Sequence, residues 1–66
     1  PMTQNEPFEL PGDWRRIDHF KQSPVNPGHI DHRVTVESER FNVVLEGSWD
    51  WIKSRITGYM LSTRQG

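Results

Sequence analysis

Residues 10–24 read LPGDWRRIDHFKQSP, and whether this stretch coils or extends decides the architecture of the chain. Pro11-Gly12 is a turn signal, and Asp13 is of a type that caps the N–H groups of a following helix. Trp14, Ile17 and Lys21 recur at helical spacing with Phe20 beside them, and Pro24 blocks any continuation. The spacing predicts a short helix over residues 14–22. The segment that follows, QSPVNPGH (22–29), carries two prolines and Gly28 and reads as loop.

Downstream the period falls to two. Residues 32–47, HRVTVESERFNVVLEG, place Val34 and Val36 on one face of a first run, and Phe41, Val43 and Leu45 on one face of a second. Glu37-Ser38-Glu39 links them, so the pair reads as an antiparallel hairpin, although the sequence has no Asn-Gly or Asp-Gly to fix the turn. Val44 points to the opposite side, to be covered by a partner or by the N-terminal arm. A two-stranded ribbon is marginal in water until something packs on it.

The cover is written in residues 47–60, GSWDWIKSRITGYM. Gly47 ends the strand, Ser48 is a good N-cap and Asp50 suits the positive end of a helix. A helix is expected over 49–61. At about 100° per residue, Ile52, Ile56, Tyr59 and Met60 fall within about 80° of Trp49 and form a core stripe, while Trp51 falls near 200°. Two tryptophans two residues apart cannot share a helix face, so Trp49 is expected inward and Trp51 outward. Ser54 and Gly58 lie on the side of Trp51, Leu61 lies at its edge, and Arg55 flanks the ring. Gly58 costs up to about 1 kcal/mol of helix propensity relative to Ala, which close approach of another backbone would offset. Trp51, Ser54, Arg55, Gly58 and Leu61 are therefore the expected partner-binding face; the plainer reading is a half-exposed tryptophan leaning over its own helix start, with Gly58 marking an early helix end.

The expected fold class is thus α+β, in the order helix, strand, strand, helix, as a single domain over residues 11–66. Residues 1–10 lack periodicity and are expected to form a flexible arm, with Pro1 a residue left by a tag ahead of Met2. A 66-residue chain with 32% hydrophobic residues and no cysteine has a small core and no disulfide to brace it. Sharing apolar surface with another protein, or with a second copy of the chain, relieves that shortage. The absence of cysteine suits a reducing compartment, and no apolar run approaches a membrane span, so the expectation is a cytoplasmic, non-membrane protein.

Pro1 sits at the head of a polar arm, where its amine is not positioned for catalysis. His19, His29 and His32, with Asp18 and Asp31 near them, offer metal-ligand types but no recognised metal spacing. Glu37 and Glu39 read as a solvated turn. No phosphate-binding glycine loop or serine nucleophile elbow occurs, so neither enzyme activity nor a cofactor or metal is expected. Nucleic-acid binding is the alternative. Arg15 and Arg16 on the first helix and Arg33 and Arg40 on the ribbon are the candidate phosphate contacts, against a net charge of −1 and acids interspersed throughout. The leading expectation is a small protein-binding module acting as regulator, inhibitor, adaptor or minor complex subunit.

Overall fold

The computed structural model describes the backbone of residues 7–65 and the side chains of residues 7–63; most of the expected N-terminal arm, including Pro1, lies outside that range. Three strands, β1 (Trp14–Gln22), β2 (Ile30–Ser38) and β3 (Val43–Glu46), form an antiparallel sheet in the order β1-β2-β3, and helix α1 (Trp49–Gln65) follows. The stretch expected to be an N-terminal helix is therefore a strand, and the order is β-β-β-α. The reason is long-range pairing. An isolated nine-residue helix is marginal in water, whereas the extended form pairs with β2 from Trp14↔Ser38 to Gln22↔Ile30. It also turns Trp14 into the core, where it stacks on Phe41 at 5.6 Å and meets Tyr59 at 5.5 Å. Asp13 caps nothing: the turn before β1 closes through the Trp14 N–H to Pro11 O at 3.0 Å, and the Asp13 carboxylate accepts from Arg40 Nη1 at 3.1 Å.

The β2–β3 hairpin forms as its alternation dictates, with two differences. β2 begins at Ile30, because β1 pairs with two further residues before His32. The link is residues 39–42 and not Glu37-Ser38-Glu39, so Glu37 and Ser38 belong to β2 and Phe41 sits in the turn, where its ring still packs against Trp14 and Tyr59. The turn closes through the Asn42 N–H to Glu39 O at 3.1 Å, and Asn42 takes φ 53°, a left-handed value that asparagine tolerates better than most residues. The Ser38 hydroxyl, buried, accepts from the Phe41 N–H.

Helix α1 starts as expected: Ser48 Oγ accepts from the Trp51 N–H at 3.2 Å, and Asp50 lies in the first turn. It continues through Gly58 to Gln65, four residues past the expected end at 61, so Gly58 marks neither an end nor a break. Ile52 and Ile56 are buried against Val36, Leu45 and Trp14, and Tyr59 and Met60 flank this core, as the stripe requires. Trp49 is half-buried at the margin, where Phe8 meets it edge-on at 5.8 Å. Trp14 is the deeper tryptophan at 5% exposure, and its Nε1 has no hydrogen-bond partner among the described residues.

The helix covers only one end of the sheet. Alternate residues of a strand share a face, so Trp14, Arg16, Asp18, Phe20 and Gln22 lie on the helix side of β1, with Ile30, His32, Val34, Val36 and Ser38 beside them on β2. Trp14, Val36 and Ser38 are buried, whereas Phe20 is 67% exposed and Ile30 is exposed. β3 pairs only with Thr35–Ser38. From about Asp18 and Val34 outward, β1 and β2 therefore run on as a two-stranded arm.

Candidate interaction surfaces

The arm is closed by a loop with its own hydrogen bonds. The Ser23 N–H donates to His29 O at 3.0 Å, the His29 N–H to Asn26 O at 2.8 Å, and Gln22 Nε2 to Pro27 O at 2.7 Å. Pro24 and Pro27 restrict the backbone further. At its tip Val25 is 92% exposed. Phe20, Val25 and Ile30 make up half of the six exposed large hydrophobic residues among the described residues, and none of the three has core beneath it.

A chain of polar and aromatic contacts ties the arm to the packed end. Arg16 lies over the Trp49 ring at 4.3 Å and donates through Nε and Nη2 to Asp18, each at 2.9 Å. His32 Nε2 donates to Asp18 Oδ2 at 2.9 Å, the oxygen that Arg16 Nη2 also reaches, and the His32 ring stacks on Phe20 at 4.5 Å with the planes 3° apart. The Arg16 hydrogen bonds, then that of His32, hold the Asp18 carboxyl down to about 2, and Asp18 in turn raises the Arg16 guanidinium above its ordinary value. Both groups are solvent-accessible, so these contacts orient the side chains more than they stabilise the fold.

The opposite face of the sheet has no helix on it among the described residues. Arg15 pairs with Glu37 at 2.7 Å, Arg33 with Glu46 at 3.6 Å, and His19 Nε2 hydrogen-bonds Thr35 Oγ1 at 3.1 Å. Val44 lies there, exposed.

The residues proposed from the sequence fall as follows. Trp51 stands outward from α1 at 47% exposure and leans on Gly47, where an added Cβ would meet its ring at 3.2 Å. Gly47 has φ 157°, a value that side chains rarely adopt, so the seat for Trp51 needs glycine twice over. The Arg55 guanidinium lies 6.0 Å from the Trp51 ring and 5.7 Å from Tyr59. Ser54 and Gly58 are exposed, with open space over Gly58, and Leu61 borders an apolar depression shared with Phe8, Pro11, Ile56 and Met60. These five form a strip along one side of the helix. The four arginines do not gather: Arg15 and Arg33 are on the open sheet face, Arg16 on the helix side and Arg40 in the β2–β3 turn. Each contacts a carboxylate, of Glu37, Glu46, Asp18 and Asp13 respectively.

The histidines separate as well. His19 faces one side of the sheet, His32 the other, and His29 pairs with Asp31 at the loop at 2.9 Å. No group of three metal-ligating side chains occurs among the described residues. No helix among them is long and apolar enough to cross a membrane.

Sequence reasoning missed the arm. Its signal was the symmetry of two nine-residue segments, 14–22 and 30–38, about a loop containing two prolines. The chain matches no family model, no curated protein and no solved structure.

Proposed function

We propose that this chain is a non-catalytic protein-binding module that uses the β1–β2 arm as its main contact. The observation that carries the reading is the exposure of Phe20, Val25 and Ile30 on a self-tied projection with no core under it. Ordered, exposed apolar residues on a projecting element favour burial in another protein. The strip of Trp51, Ser54, Arg55, Gly58 and Leu61 offers a second contact on the helix, with an aromatic and an arginine of the kinds that dominate binding energy. Nucleic-acid binding is the weaker reading, because Arg15, Arg16, Arg33 and Arg40 are spread over different surfaces and each already faces a carboxylate. Such pairing reduces the counterion release that drives phosphate binding.

The test is affinity capture from the native cell extract, with and without nuclease. The wild-type chain is compared with a Phe20→Ser/Ile30→Ser variant and with Trp51→Ala. The expected result is a discrete protein partner that survives nuclease and is lost with the arm variant. Capture that nuclease abolishes would favour the nucleic-acid reading, and capture lost only with Trp51→Ala would move the contact to the helix.

A further inference from the structure

The free edge of β1 runs nine residues, Trp14–Gln22, with no strand beside it among the described residues. An edge of that length is a template for another strand. We propose that it pairs antiparallel with the β1 edge of a second copy, about a two-fold axis at Ile17, giving a six-stranded sheet in the order β3-β2-β1-β1-β2-β3. This deepens the reading above by naming a second copy of the chain as one occupant of the arm.

The register follows from two observations. First, the Ser23 N–H bonds to His29 O across the ladder. In an antiparallel pair the residues whose backbone groups face the neighbour alternate, so the odd-numbered residues of β1 face β2. Arg16, Asp18, Phe20 and Gln22 turn their N–H and C=O groups to the free side, together with the C=O of Trp14. Outward groups must meet outward groups, so the axis passes through a residue and not between two.

Second, charge selects the residue. An axis at Arg16 sets Arg16 against itself. One at Asp18 sets Asp18 against itself and Arg15 against Lys21. One at Arg15 opposes two copies of Arg15, and one at His19 brings no unlike charges together. With the axis at Ile17, Arg16 faces Asp18 of the second copy, Trp14 faces Phe20 and Ile17 faces itself, the first two twice over by symmetry. Charges on an edge strand ordinarily repel a second copy; here the two-fold sets Arg16 and Asp18 in complementary pairs, while Arg15 stands opposite His19 and Lys21 opposite the turn that precedes β1 of the second copy. On the order of six backbone hydrogen bonds form across the new ladder. Both helices then lie on the same face of the joint sheet, and the exposed Phe20 of each copy is set beside the packed end of the other.

Three measurements decide this. Sedimentation from about 1 µM to about 1 mM should show a monomer–dimer equilibrium. The chain has no cysteine, so Ile17→Cys adds a unique thiol. The two copies of residue 17 would face each other with Cα atoms about 4.5 Å apart, within the roughly 4.4–6.8 Å that a disulfide spans. Mild oxidation should therefore link this variant into dimers. Lys21→Cys should not be linked covalently under the same oxidation, its two thiols lying roughly 27 Å apart along the ladder. Finally, Arg16→Asp and Asp18→Arg, each checked for folding by circular dichroism, should each weaken self-association at least tenfold. Mixed in equal amounts they should associate with each other, because each supplies the charge that the other lacks. The intrastrand Arg16–Asp18 contact cannot account for that rescue. A monomer at the highest concentration, a dimer that Ile17→Cys does not link, or a mixture that stays monomeric overturns the proposal. Partner capture from extract that persists in such a case leaves the protein-binding reading standing.

Discussion

Trp14 and Phe20 lie six residues apart on the same face of the same strand, yet one is 5% exposed and the other 67%. Both are large aromatics opposite a β2 residue, Ser38 for one and His32 for the other. Local sequence does not separate them. What differs is what arrives from far along the chain: Ile52, Ile56 and Tyr59 of α1 and Phe41 of the β2–β3 turn pack at the Trp14 end, and β3 stops short of the Phe20 end. The packed end is where the chain obtains its stability. The arm carries ordered backbone whose apolar side chains, Phe20, Val25 and Ile30, the rest of the fold leaves open.

The contrast is broken most severely at Trp14. Trp14→Ala should cost about 3–5 kcal/mol, enough to unfold a domain with roughly 5 kcal/mol in hand, read as loss of the cooperative urea transition. Trp14→Phe should cost clearly less, because it keeps a ring against Phe41 and Tyr59 and removes an Nε1 donor that has no partner. A wild-type-like Trp14→Ala would mean that the core is elsewhere.

Trp49 tests the boundary between the regions. It is half-buried, with Phe8 on its edge and Arg16 over its face. Trp49→Ala should cost roughly 2 kcal/mol, the sum of partial burial, an aromatic pair and a cation–π contact. It should fall between Trp14→Ala and any arm substitution in the same urea series. A loss equal to that of Trp14 would make Trp49 a full member of the core.

How much of this was legible in the sequence follows the same division. The β2–β3 alternation, the Ser48 cap and the Ile52/Ile56 stripe could be read because each pattern is local and its faces are unambiguous. The outward azimuth of Trp51 was legible for the same reason. Trp14–Gln22 was not. Its apolar residues, Trp14, Ile17 and Phe20, recur every three positions, a spacing that fits neither a clean helix nor a clean strand, and Ile17 ends on the face opposite Trp14 and Phe20. Only the ladder to residues 30–38 settles the matter, and that information lies across a seven-residue loop, 23–29. The four arginines were legible as charges but not as pairs, because Arg40 meets Asp13 and Arg15 meets Glu37 only once β1 lies beside β2.

The link between the regions is sharpened by pH. Asp18 titrates at about 2, held there by Arg16 first and His32 second. Its folded value lies below the ordinary carboxylate value, so its contribution is complete above about pH 4. That contribution is lost as the pH falls through about 2. NMR titration of the Asp18 carboxyl should give that low midpoint, and Arg16→Leu should return it toward the ordinary value. An ordinary midpoint in the wild-type chain would mean that the Arg16–Asp18–His32 contacts do not hold in solution.

The smallest effect is expected where the arm is most exposed. Phe20 touches the His32 ring across the ladder and little else, and a cross-strand pair of this kind contributes roughly 0.2–1 kcal/mol. Phe20→Ser should therefore change stability by about 0.5 kcal/mol, the range of ordinary surface substitutions. The measurement belongs at low protein concentration, since any self-association through β1 would add a concentration-dependent contribution. At high concentration the same variant should lose more, because Phe20 would then be leaving a contact with the second copy and not with water. A difference between the two conditions separates a residue kept for the fold from one kept for association. A cost above about 2 kcal/mol in dilute solution would show that the arm is packed in the monomer after all, since surface positions do not reach that value.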